Sequence, residues 1–130
     1  MYKVFPLLLL TLYVSCCSFG WDSQITVTFK NSAPESVVLE TVDERFKEHS
    51  QIDFPKEIPP QSEINLFAKN TGTCYFSFTY KDKTYNGTSG YVDDYYKYTI
   101  QFAEESDQIV CKLFTRTGEF ERYLDITGVE

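Results

Sequence analysis

The chain is 130 residues long and carries nineteen Asp and Glu against twelve Lys and Arg, a formal net charge of −7 at pH 7. That balance excludes nucleic acid as a partner, because neutralising phosphates needs clustered cations, and it disfavours anionic membranes while leaving neutral lipid surfaces open. The length suits one domain with its own core.

The first element is an export segment. Lys3 supplies a short positive region, and Val4 to Ser15 supply an almost unbroken apolar stretch. A bilayer core needs roughly 20 apolar residues in a helix, whereas the apolar part of a secretory signal needs about 7 to 15. Ser18 and Gly20 place small side chains at the −3 and −1 positions of a cut before Trp21, with a cut after Ser18 as the second option. A buried N-terminal helix is the competing reading, but nothing amphipathic supports it. Residues 1–20 are therefore expected to be a signal peptide and 21–130 a single secreted, extracellular domain, with no transmembrane segment after cleavage. Loss of Lys3 takes the mature net charge to about −8.

Alternation then dominates. Gln24 to Lys30 places Ile25, Val27 and Phe29 on one face and Thr26 and Thr28 on the other, which predicts a half-buried strand. Asn31 to Glu35 is a turn, and Ser36 to Val42 the next strand. Asp43 to Gln51 reads as a loop or one helical turn, and Pro59-Pro60 excludes a central strand. From Ser62, Ile64, Leu66 and Ala68 share a face up to Asn70 to Gly72. Thr73 to Tyr80 points Cys74, Phe76 and Phe78 one way and Tyr75, Ser77 and Thr79 the other. Lys81 to Lys83 connects to Thr84-Tyr85 as a hairpin, and Asn86 to Asp94 reads as a loop. Tyr95 to Phe102, Gln108 to Phe114 and Glu119 to Thr127 are the remaining strands, the last built on Phe120, Leu124 and Ile126. Seven to eight short strands separated by turns predict an all-β fold, an antiparallel β-sandwich or a small barrel, of which the sandwich is adopted.

Export removes Cys16 and Cys17 and leaves Cys74 and Cys111 of the chain's four cysteines. An even pair in an oxidising space, each on the inward face of its strand, predicts one disulfide; two buried free thiols are the rival reading. No cofactor or metal is implied. The single histidine, His49, sits in a charged stretch with no nucleophile elbow near it and no close Cys spacing for zinc. The carboxylates at Asp93-Asp94 and Glu104-Glu105 with Asp107 read as solvated turns, and they lack the spacing of a calcium loop. A small hydrolase is therefore the least favoured function.

Tyrosine is concentrated: Tyr75, Tyr80, Tyr85, Tyr91, Tyr95, Tyr96 and Tyr98 fall within residues 75–98, and Trp21 stands at the expected mature N-terminus. On a sheet these residues are either cross-strand pairs or a recognition surface, since tyrosine joins an apolar body to a polar tip. Asn86-Gly87-Thr88 within the same region is an N-glycosylation sequon, or else an Asn-Gly turn with positive φ. A glycan at Asn86 is expected to shield part of the tyrosine region.

Two N-terminal strands, the run Phe54-Pro55-Lys56-Glu57-Ile58-Pro59-Pro60-Gln61-Ser62-Glu63, Gly72 and the aromatic strand Phe78-Thr79-Tyr80 together resemble the layout of aegerolysin-type proteins. The resemblance covers about the first two thirds of the mature chain and implies a small acidic β-sandwich that binds lipid. The chain differs in its signal peptide, its cysteine pair and its one tryptophan. The expected function is thus a secreted, non-enzymatic, toxin-like or effector-like binding protein that engages a protein, glycan or neutral lipid through the tyrosine-rich surface. An extracellular structural or matrix module is the alternative.

Overall fold

A computed structural model of the chain describes residues 24–69, 73–90 and 97–129. The expected signal peptide, Trp21, Tyr91, Tyr95 and Tyr96 lie outside them. The described residues form β1 (Gln24–Asn31), β2 (Val37–Val42), α1 (Glu44–Ser50), β3 (Lys56–Ile58), β4 (Ser62–Lys69), β5 (Tyr75–Tyr80), β6 (Lys83–Thr88), β7 (Lys97–Glu105), β8 (Gln108–Phe114), β9 (Phe120–Tyr123) and β10 (Ile126–Val129). They make two five-stranded sheets, in the orders β4-β1-β7-β8-β9 and β10-β6-β5-β2-β3.

The alternating pattern explains why the sheets stack. Ile25, Val27 and Phe29 of β1, Leu66 and Ala68 of β4, Tyr98, Ile100 and Phe102 of β7 and Leu113 of β8 are buried on one sheet. Val37 and Leu39 of β2 and Phe76, Phe78 and Tyr80 of β5 are buried on the other. Four rings join the layers: Phe29 meets Phe76 edge to face at 5.3 Å between centroids, and Phe78 meets Phe102 at 4.7 Å. Such pairs contribute about 0.5 to 1.5 kcal/mol each beyond the area they bury.

Three expectations are corrected. The described strands number ten rather than seven or eight, because β3 ends just before Pro59, β6 runs through the Asn86 segment, and the last predicted strand divides at Leu124-Asp125 into β9 and β10. β3 escapes the proline exclusion by being an edge strand. The first sheet is mixed, not antiparallel, since β1 runs parallel to β7 with Val27 opposite Tyr98 and Phe29 opposite Ile100. Alternation reports which face is buried and carries no strand direction.

The third correction is the disulfide: Cys74 and Cys111 are free, buried thiols. Both do face inward, but from opposite sheets: Cys74 leads into β5 with its N–H on Ser89 Oγ, whereas Cys111 stands in β8 opposite Phe102. Burial pushes both thiols upward from their ordinary value, so neither is a ready thiolate.

The Asp43 to Gln51 stretch is a helix, α1. Glu44 in its first turn and Lys47 and His49 in its last complement the helix dipole, and Gln51 closes it in the left-handed conformation. Phe46 and Ser50, one turn apart, form its buried side. The Ser50 hydroxyl accepts from the Phe67 N–H at 2.9 Å and donates to the Phe67 carbonyl at 3.3 Å. α1 thereby covers the open edge of β4, where unpaired backbone groups would otherwise invite another strand.

Asn31 ties the two sheets at the other end of β1. Its buried amide donates to the Ile58 carbonyl at 2.8 Å and the Glu35 carbonyl at 2.9 Å, and its Oδ1 accepts from the Ala33 N–H at 2.9 Å. Gly87 is needed for a different reason. A Cβ there would lie 2.6 Å from Phe76 Cζ and 3.1 Å from Ile126 Cγ2, and the Phe76 ring is wedged between Phe29, Phe78 and Phe102 with nowhere to move.

Two outcomes follow. Gly87→Ala lowers stability by about 1 to 3 kcal/mol, the usual cost of overpacking, read from the midpoint of urea unfolding. For the thiols, the mature chain purified without reductant is inert to a thiol reagent when native and exposes two reactive thiols on denaturation; none on denaturation sinks the free-thiol assignment.

Candidate functional site

The four described tyrosines of the predicted surface go to three different places. Tyr98 is wholly buried, its hydroxyl beside the Ser89 side chain and without a well-formed hydrogen bond among the described residues. The neighbouring Ser89 Oγ accepts from the Cys74 N–H and donates to the Gly90 carbonyl, each at 2.8 Å. Burial drives the Tyr98 phenol upward from its ordinary value. Tyr80 is buried in its ring, Tyr85 is half-buried and stacks on Phe78 at 5.2 Å, and Tyr75 is 61% exposed.

Tyr80 and Tyr85 come together at the end of the sandwich marked by the β5-β6 and β7-β8 turns. They line a groove of about 520 Å³, of the size that holds small ligands. Ile109 and Ile126 add apolar wall, and Lys81, Lys83, Asp107 and Gln108 form the polar rim. The groove exists because both turns are two-residue connections, Lys81-Asp82 and Ser106-Asp107, with positive φ at all four positions, so the hairpins end abruptly at the same level.

One side of the groove is rigid. The Tyr80 hydroxyl donates to Glu104 Oε2 at 2.5 Å, and Lys81 Nζ bridges Glu104 at 3.2 Å and Glu35 at 3.3 Å. Burial first, then the Glu104 hydrogen bond, raises Tyr80 to about 12. The Tyr80 and Lys81 hydrogen bonds hold Glu104 below its ordinary value of 4.5. The other side is uncommitted: the Lys83 ammonium, the Tyr85 hydroxyl, the Asp107 carboxylate and the Gln108 amide have no polar partner among the described residues.

A second aromatic surface escaped the sequence reading. Phe120, expected to face the core, is 50% exposed, and Tyr123 is 53% exposed. With Phe114 they form a chain of edge-to-face rings at 5.8 and 5.3 Å on the outer face of β8 and β9. Lys112 sits 5.7 Å from the Tyr123 ring centre and pairs with Glu105, which also accepts from the Tyr123 hydroxyl at 3.0 Å. The signal available was Tyr123 itself, one residue out of phase with Leu124 on the predicted core face.

Asn86 lies in β6 and not in a loop, opposite Ser77 of β5 and Thr127 of β10. It points to the outer face of its sheet, whereas its neighbour Tyr85 points inward and lines the groove. No helix among the described residues is long and apolar enough to cross a membrane, and no three His, Cys, Asp or Glu side chains among them are grouped as metal ligands. Comparison of the chain with protein-family models, with curated proteins and with solved structures gives no match.

The Tyr80-Glu104-Lys81 cluster predicts a two-sided pH profile. Glu104's depressed value contributes stability that is complete above 4.5 and is lost as pH falls through its lower folded value. Tyr80's raised value contributes stability that is complete below 10.0 and is lost as pH rises toward about 12. Tm measured against pH is expected to fall at both ends. Glu104→Gln should flatten the acid side and bring the Tyr80 phenolate, followed by ultraviolet absorbance, to lower pH.

Proposed function

We propose that the chain is a secreted, non-enzymatic binding protein, toxin-like or effector-like in its size and export, whose groove between the β5-β6 and β7-β8 turns takes a neutral saccharide of a cell surface. The observation that carries this reading is the uncommitted half of the groove. Lys83, Tyr85, Asp107 and Gln108 offer hydrogen-bond donors and acceptors in balance beside two tyrosine rings. A sugar presents the same mixture, with hydroxyls that donate and accept around an apolar ring face. A lipid tail would leave the polar rim desolvated and unpaired. A simple anion would meet Asp107 in a protein whose net charge is already −7. The lipid binding implied by the resemblance to aegerolysin-type proteins is thus the competing occupant. The matrix-module reading has no feature of its own in the described residues.

The test is binding of the mature protein to an array of neutral oligosaccharides, followed by calorimetric titration of the best ligand. Tyr85→Phe removes only the hydroxyl and is expected to weaken binding about tenfold, equivalent to about 1.4 kcal/mol. Asp107→Asn is expected to do at least as much. Tyr75→Ala, on the opposite face, leaves affinity unchanged. Binding to zwitterionic vesicles with no saccharide recognised would overturn the reading.

A further inference from the structure

We propose that Asn86 is an N-glycosylation site whose innermost sugar rests on the exposed ring of Tyr75. The inference depends on export and is independent of the groove, which lies on the other side of β6.

The rival explanation of the local sequence, an Asn-Gly turn, fails on geometry. Asn86-Gly87 is not a turn: it lies inside β6, and Gly87 is not among the glycines with positive φ. Gly87 is required on the inner face, under Phe76, which leaves Asn86 on the outer face with no structural task. Its side-chain amide is exposed and has no partner among the described residues. The positions beside it are small and uncharged, since Thr41 opposes Ser77, Ser77 opposes Asn86 and Asn86 opposes Thr127 across three neighbouring pairings. A bulky sugar on Asn86 therefore meets no side chain that must move.

Tyr75 supplies the independent observation. It is two residues from Ser77 on the same face, hence a diagonal neighbour of Asn86 at about 7 to 8 Å. Its own cross-strand partner is Thr88, so no aromatic ring covers it across the strand among the described residues. Tyr75 and Asn86 line one shallow depression of about 350 Å³, which also contains Thr41 and Asp43. The charge of Asp43 is already engaged, its carboxylate accepting the Tyr75 N–H at 3.1 and 3.2 Å and pairing with Arg45. An aromatic face beside an open amide is what an N-acetylglucosamine ring needs to lie flat on the sheet.

The covalent step uses a polyprenyl-diphosphate oligosaccharide as donor. Asn86 Nδ2 forms the bond to the sugar C1, the C1–O bond to the diphosphate breaks with its electron pair leaving on the diphosphate, and the amide proton passes to a base of the transferase. Nothing is oxidised or reduced. The hydroxyl of Thr88 completes the acceptor sequence, and in the folded chain it accepts the Gly90 N–H at 3.2 Å.

The experiment translates the full chain with endoplasmic-reticulum microsomes and also expresses it in a eukaryotic secretory cell. The expected product is protease-protected and carries one glycan-sized mass increment that an amide-cleaving glycosidase removes. Asn86→Gln and Thr88→Ala abolish the increment, and Thr88→Ser retains it. Glycosylated wild type is expected to melt about 4 °C above the deglycosylated protein, and Tyr75→Ala keeps the glycan but loses that difference. A protected chain without the increment overturns the site. A chain that never enters the microsomes overturns the export premise instead. A glycan whose stabilisation survives Tyr75→Ala overturns the role of the ring.

Discussion

No covalent link joins the two sheets through the cysteines, so their alignment rests on rings. Phe29 and Phe102 project from one layer and Phe76 and Phe78 from the other, and each ring touches at least two of the rest. Edge-to-face and tilted contacts have preferred geometries, so the cluster sets the distance between the layers and resists sliding. Other features adjust to it. Gly87 is small because Phe76 lies against β6, Tyr85 reaches the groove by stacking on Phe78, and the outer residues of β6 take their facing from the inner ones.

The same alternation that builds this cluster made it readable in advance. Ile25, Val27 and Phe29 share one face by periodicity, Phe76 and Phe78 another, and all five are buried. What stayed hidden depends on pairing over long distances. Phe120 keeps the alternation with Leu124 and Ile126, but a register shift between β8 and β9 sets it opposite Phe114 on the outer face, and periodicity within one strand does not show a bulge. The two cysteines illustrate a further gap, since facing inward fixes one coordinate of a side chain and leaves its height along the strand open. Of the tyrosines, adjacency in sequence suggested one surface, whereas the hairpin sends Tyr75 outward at one end, Tyr80 and Tyr85 to the groove at the other, and Tyr98 into the core.

The described surface is consequently divided into regions of different chemistry. One end of the sandwich has a groove with a braced wall, where Tyr80, Lys81, Glu104 and Glu35 satisfy one another, and a free wall that can serve a ligand. The outer face of the second sheet is small, hydroxyl-bearing and centred on Asn86. Edges are treated separately: α1 closes the β4 side, and β3 stops at proline. Rigid bracing beside an uncommitted wall is an economical arrangement for recognition, because the ligand need order only its own half of the contacts.

The position of β1 has a consequence for how the chain is made. It sits between β4 and β7, so the strand synthesised first among those described waits for a neighbour more than sixty residues later, Phe29 for Ile100 and Asn31 for Phe102. Until β7 has emerged, β1 has one edge unpaired and Phe29 lacks the Phe102 ring it stacks on. Closing so long a loop comes late and slowly in folding. The strand order that makes the sandwich stable when complete therefore also postpones its completion until most of the described residues have been made.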